Sequence, residues 1–339
     1  MVRKILVLGI WGGLFALSGC SKITDALVKK TQEAQEAAAS ASAAAAAAVP
    51  LTEAQKDGQL ATKLEGYIFC LNKETSSAFS SRRAYLETVD ETKGPTGKEN
   101  YISIYALNPE TCISGLEKSK AMQPPLPEID AAAAVYATAL TKLQAAVKPA
   151  NTYYTQKDYK DDAYAKGKAM HAPLMAAFEE FKAANKTFDD KVTELNEQIA
   201  QRRLARLEKD PNSRFQYLVA KTIDDAKKVV NFTDIKSIAA LDAAAYGTAV
   251  SNYEKSVTEL DTYATAHAAE ASKVSRLSSF QSNNSRYLKA AKELMRRKRD
   301  DKDFAKERGN PQSMDGHPAQ VVKEFNDMIE VSNDIQFRT

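Results

Sequence analysis

From Leu51 onward the large apolar residues recur three and four positions apart, the spacing that lines one face of an α-helix. Leu60, Leu64, Ile68, Leu71, Phe79, Leu86 and Val89 predict a first long helix over about 53–91, ended by Gly94-Pro95-Thr96-Gly97. A loop-rich stretch with Tyr101, Ile104, Tyr105 and Leu107 follows, then a short helix over about 109–122 that opens on Pro109, a favoured first-turn residue. Pro124, Pro125 and Pro127 break the chain again. Ile129, Ala133, Tyr136, Leu140, Leu143 and Val147 mark a second long helix, expected to stop at Pro149. A third covers about 161–209, with a kink expected near Pro173, where the missing N–H interrupts the hydrogen-bond ladder. Further helices are predicted over about 213–231, 237–275, 284–307 and 318–335. No alternating pattern predicts a strand or hairpin. The expected fold class is all-α, an elongated bundle of long antiparallel helices.

The first 50 residues follow a different pattern. Arg3 and Lys4 precede an apolar run over 5–17 that ends in Leu17-Ser18-Gly19-Cys20. As a helix that run would reach roughly 20 Å, short of the roughly 30 Å hydrocarbon core, so it reads as a signal sequence, not a span. The closing tetrapeptide resembles the bacterial lipoprotein lipobox, which implies that residues 1–19 are removed and that Cys20 is acylated. Several acyl chains give a stable membrane anchor where one would not. Serine at position 21 implies, by analogy with lipoprotein sorting, an outer-membrane protein facing the periplasm. Residues 20–50 form the anchor and an alanine-rich tether ending at Pro50, and residues 51–339 form the helical body. A coiled-coil seam begun by Ile23, Ala26, Leu27 and Lys30 dies within two turns.

Composition narrows the classes further. Thirteen Gly and 11 Pro in 339 residues are too few turn residues for a many-stranded sandwich or barrel. Forty-seven basic against 44 acidic residues give a net charge of +3, and removal of Arg3 and Lys4 leaves the mature chain nearly neutral. No basic field recommends nucleic acid as a partner. With Cys20 acylated, Cys70 and Cys112 remain, an even pair in an oxidising compartment. Their disulfide would staple the loop-rich segment to the first helix; two buried thiols are the alternative.

Several segments together resemble the YiiG-like bacterial lipoproteins, a family defined by a domain of unknown function. They are Tyr67-Ile68-Phe69-Cys70-Leu71-Asn72, the turn Gly94-Pro95-Thr96-Gly97-Lys98-Glu99, Cys112, and residues 153–162 followed by Ala165-Lys166-Gly167-Lys168 and His171. The resemblance covers nearly the whole mature body. It implies the paired cysteines and the helical body, and it implies no reaction.

Residues 153–171 hold the densest candidate chemistry: Tyr153, Tyr154, Asp158, Tyr159, Asp161, Asp162, Tyr164, Lys168 and His171. Helical spacing would place Tyr164, Gly167, Lys168 and His171 on one face, with Gly167 leaving a gap beside the imidazole. Aromatic faces beside carboxylates suit sugars or cationic peptides. The competing reading has an aspartate capping a helix while the tyrosines pack a corner between helices. No metal-ligand spacing and no nucleophile elbow occur, so no catalytic residue, metal or cofactor is assigned. The run Arg296-Arg297-Lys298-Arg299, followed at once by Asp300, Asp301 and Asp303, reads as an ion-paired helix more readily than as a surface for anionic lipid or polymer. The resulting expectation is a lipid-anchored protein that binds or scaffolds an envelope protein or cell-wall polymer. The alternative is a hydrolase-type envelope enzyme with its site near 153–171.

Overall fold

A computed structural model describes residues 50–304 and 307–338; the signal segment, Cys20 and the tether lie outside the described residues. The helices are α1 (Glu53–Leu86), α2 (Glu110–Ala121), α3 (Pro127–Gln156), the single turn α4 (Tyr159–Asp162), α5 (Ala165–Lys209), α6 (Arg214–Val230), α7 (Ala243–Ala266), the single turn α8 (Ala268–Ala271), α9 (Leu277–Arg299) and α10 (Pro318–Asn333). Among the described residues no strand forms, and the only β-type pairings are two isolated bridges.

The starts of the helices follow from local chemistry. At α1, the Thr52 hydroxyl accepts from the Gln55 N–H at 3.2 Å while Gln55 Oε1 accepts from the Thr52 N–H at 2.8 Å, a reciprocal cap. Asp242 caps α7 by accepting from the N–H groups of Ala244 and Ala245. That cap is why α7 begins at Ala243 and not near 237; residues Ile238–Ala240 form a separate 3-10 turn. α9 starts earlier than its sequence suggested, because Leu277 and Phe280 are buried ahead of Tyr287 and draw the Ser- and Asn-rich stretch 278–284 into the helix.

Two other expectations change. Pro149 does not stop α3, which continues to Gln156. The ring costs one ladder hydrogen bond, but Val147, Ala150, Tyr153 and Tyr154 are buried, and that packing holds the last two turns in place. The third predicted helix is split at its start, since Ala163 and Tyr164 adopt left-handed backbone angles between α4 and α5. From there α5 runs unbroken through Pro173 for 45 residues, about 67 Å.

The helices pack as two four-helix units in tandem. In the first, α1 and α5 are antiparallel: Asp57 meets Arg202 and Arg206, Thr75 hydrogen-bonds Asn185, and Tyr85 meets His171. α3 is antiparallel to α5 through Glu128 with Lys191 and Lys142 with Glu180, both at 2.6 Å. α2 runs back along α1, joined to it by the Cys70–Cys112 disulfide. Phe188 of α5 is fully buried between the rings of Tyr67 and Tyr136. In the second unit α6, α7, α9 and α10 also alternate in direction. Phe215 packs on Tyr263, Tyr253 bonds Asn284, and Tyr287 packs on Phe325. The two hydrophobic clusters share no residue: one spans residues 64–199 and the other 215–335. Asp210 and Pro211 mark the junction.

Candidate functional site

The corner where α3 turns into α5 carries the residues singled out by sequence. The turn is made with three non-glycine residues at positive φ, Lys157, Ala163 and Tyr164. Each left-handed residue costs on the order of 1 kcal/mol, so surrounding contacts must hold the corner in place. The tyrosines supply those contacts. Tyr153 and Tyr154 meet edge to face at 5.0 Å, and Tyr159 stacks on Tyr164 at 4.7 Å. Tyr153 donates its hydroxyl to Asp162 Oδ1 at 2.7 Å, while Asp162 Oδ2 accepts from the Lys166 N–H at 3.0 Å in the first turn of α5. Burial pushes the Tyr153 hydroxyl up, and the carboxylate of Asp162 pushes it further. Asp162, stabilised by the same hydrogen bonds, lies below its ordinary range.

His171 is buried at the centre of this corner. Its Nε2 lies 2.9 Å from the carbonyl oxygen of Glu91, which can only accept, so Nε2 carries the proton. Nδ1 then accepts from the Tyr85 hydroxyl at 3.0 Å. Burial pushes the Tyr85 hydroxyl up to about 12, partly offset by the hydroxyl of Tyr154. Gly94, with φ of 75°, lies so close to the imidazole that a Cβ there would be 2.9 Å from the ring. The turn that contains it is knit by Glu99, whose carboxylate accepts from the Thr96 and Gly97 N–H groups at 2.7 and 2.8 Å. Tyr164 in turn reaches the Glu99 carbonyl at 3.4 Å.

The predicted single face is therefore only partly assembled. Tyr153, Tyr154, Tyr164 and His171 are buried together, whereas Asp158 and Tyr159 are half-buried, and Asp161 and Lys168 face solvent. Gly167 makes room for Tyr154 and Tyr153, not for the imidazole: a Cβ there would sit 2.8 Å from the Tyr154 hydroxyl oxygen. Sequence reasoning missed Tyr85 and Glu91, the two partners of His171, because they lie 80 or more residues away on other elements. It also missed two charged clamps. Lys63, with no exposed surface, donates to the carbonyls of Met122 and Pro124 and to Asp130 Oδ2, each at 3.1 Å. Asp57 accepts from Arg202 and Arg206, whose hydrogen bonds outweigh its desolvation and hold the carboxyl below its usual range.

The basic run on α9 is engaged within the fold. Arg296 pairs with Glu293, Arg297 with Glu307, and Arg299 with Asp300, while Lys298 donates to the carbonyls of Ile238 and Ala239. A cleft of about 280 Å³ between the 126–129 turn and α5 is floored by Leu126, Ile129 and Leu195 and bridged by Lys191 and Glu128. It includes none of the tyrosine corner.

Two of the segments that carry the family resemblance, the 94–99 turn and residues 153–171, thus meet at one place in the fold. A family profile matches residues 58–334, from the first turns of α1 to the end of α10. This chain belongs to the family described as a protein of unknown function, DUF3829. The DUF3829 body is 28% identical over 286 residues to "Uncharacterized protein YiiG" of Escherichia coli (strain K12), covering 81% of this chain and 78% of that one. No solved structure matches the chain. Among the described residues of the DUF3829 body, no helix is long and apolar enough to cross a membrane, and no group of three His, Cys, Asp or Glu residues is placed to hold a metal ion.

Proposed function

We propose that this DUF3829 protein is a lipid-anchored, extracytoplasmic lipoprotein. Its body would bind or scaffold another component of the bacterial envelope, an envelope protein or a cell-wall polymer, from the periplasmic face of the outer membrane. The observation that carries the reading is Leu17-Ser18-Gly19-Cys20 at the end of the apolar run 5–17. Pairing of the two remaining cysteines supports it, since disulfides persist in oxidising compartments. Binding is favoured over turnover by the state of the tyrosine corner. A hydrolase there would need a reachable general base or nucleophile, but the Tyr85–His171 pair at its centre is buried, and His171 is also bonded to the Glu91 carbonyl.

The anchor is tested by growing cells with labelled fatty acid and weighing the amino-terminal peptide of the purified protein. The wild type should carry acyl groups on Cys20 and partition with membranes, and Cys20→Ser should lose both. An unmodified amino terminus beginning at residue 1 would refute the placement. Crosslinking in intact cells, with the reagent placed on exposed Tyr101 or Tyr105, should capture an envelope component; recovery of cytosolic proteins alone would count against the scaffold role.

A further inference from the structure

The last helix begins on an atypical cap. His317 occupies the N-cap of α10, and its Nδ1 accepts the main-chain N–H of Ala319 at 3.0 Å, the service that Asp242 gives α7. An imidazole nitrogen can accept only while it is unprotonated, so this bond requires the neutral ring with its proton on Nε2. The surroundings favour the same form. The ring packs on the buried Phe304 at 4.9 Å between centroids. Desolvation pushes the imidazole below its ordinary value, Arg297 adds to that push, and Glu307 opposes it. The positive end of the α10 dipole also disfavours a cation there.

The residues around the cap also hold the preceding segment, 307–317, against the end of α9. Arg297 Nε donates to the Asp315 carbonyl at 2.6 Å and Nη1 to Glu307 Oε1 at 2.7 Å. Gly316, with φ of 69°, runs so close to α9 that a Cβ would lie 2.7 Å from the Glu293 carbonyl. Its N–H donates to Gln320 Oε1 at 3.0 Å, and Gln320 Nε2 donates to Asp315 Oδ1 at 3.2 Å. Glu293, Arg296, Arg297, Asp300, Lys302, Glu307 and Asp315 line a polar cleft of about 210 Å³ here, and Asp303 acts on Glu307 from the same side. Of these, Arg297 and Glu307 are the two that act on the ring.

We propose that His317 is an acid-sensitive latch, whose protonation undoes the cap of α10 and loosens segment 307–317 from α9. Protonated Nδ1 would point a hydrogen at the Ala319 N–H, in place of a lone pair, and would set a second cation beside Arg297. The pH window follows from the direction of the shift. Above the ordinary imidazole value of about 6.5, the cap is complete and stability does not vary with this group. As pH falls below that value the open form takes the proton first, the capped form loses ground, and the loss levels off once pH passes below the depressed native value.

Amide hydrogen exchange of the intact chain in detergent tests the latch, comparing wild type with His317→Asn, in which a side-chain oxygen can cap without titrating. Between about pH 7.5 and about pH 5, protection of residues 319–322 relative to the Asn variant should fall about tenfold, the size of a lost N-cap. A ratio that stays constant with pH overturns the proposal. Should the Asn variant fail to fold, the imidazole of the wild type can be titrated by NMR. A midpoint below the ordinary value with a matching shift of the Ala319 amide supports the latch. A midpoint at or above that value, or an indifferent amide, overturns it.

Discussion

In the first unit, residues 87–126 separate α1 from α3, an excursion that includes α2 and an extended strap, whereas the second unit joins its helices through 231–242, 267–276 and 300–317. The fastenings differ accordingly. The long excursion is secured by a covalent bond, Cys70 to Cys112, by the buried ammonium of Lys63 and by the His171 clamp on the 87–100 loop. The strap is also fixed by side chains: Ser81 Oγ donates to the Tyr105 carbonyl at 2.8 Å and Asn151 to the Ile104 carbonyl at 2.7 Å. The second unit has no disulfide among its described residues, and its connections are fastened by Arg297 and Lys298 to main-chain carbonyls. Buried tyrosines join its helices, Tyr246 donating to the Ala291 carbonyl at 3.0 Å and Tyr287 to the Ala226 carbonyl at 2.9 Å. Chain that lacks helical hydrogen bonds must find partners for its own amides and carbonyls, and so recruits polar and charged side chains. Chain that stays helical can rely on apolar packing.

Breaking the covalent staple should separate the two units most clearly. Replacing Cys70 and Cys112 together by alanine removes a loop constraint that the chain-entropy model values at about 4 kcal/mol. Hydrogen exchange should rise throughout α1–α3 while α7 and α9 keep their protection; an equal rise in both units would show that they unfold as one. Lys63→Met comes next, with an expected loss of about 3 kcal/mol in urea unfolding, because Asp130 and the turn carbonyls lose their buried cation. His171→Phe keeps an aromatic ring but leaves the Glu91 carbonyl and Tyr85 without their partner. It should cost about 2 kcal/mol and expose the 87–100 loop to protease first.

The smallest effect is expected in the second unit, where Tyr287→Phe should cost only about 1 kcal/mol, since the ring still packs and the carbonyl it leaves belongs to a helix. A larger loss would mean that hydroxyl bonds, not packing, hold that unit. Acid should weaken both units, each through a buried carboxylate held below its ordinary range, Asp57 in the first and Asp225 in the second. Asp57 has a depressed native value, so its contribution is complete above the unfolded carboxylate value of about 4 and is lost as pH falls through the native one. Thermal melts should show the first unit weakening below about pH 4, and Asp57→Asn should remove that part of the dependence.

Helix existence was legible wherever apolar residues repeat at helical spacing, as along Ile129, Tyr136, Leu140 and Leu143, because one buried stripe repeats once per turn. Boundaries were less so. Pro149 reads as a stop, yet tertiary packing of Tyr153 and Tyr154 overrides the missing N–H. The left-handed residues at 163 and 164 are an alanine and a tyrosine, types that give no local sign of a turn. At the candidate site, the dense stretch 153–171 pointed to the right corner, but its tyrosines could not announce Tyr85 or Glu91, which only the antiparallel register of α1 and α5 brings near. The charged clamps were invisible for the same reason: Lys63 and Asp57 look like solvated helix residues until the partner helix is known.

The clasp between Asp57 and the far end of α5 settles how a pull on the amino-terminal end would travel. Asp57 lies one turn beyond the start of α1, and its guanidinium partners sit a few residues before the junction of the two units. Tension entering at Pro50 would therefore act along the α1–α5 seam in shear, loading many side-chain contacts at once.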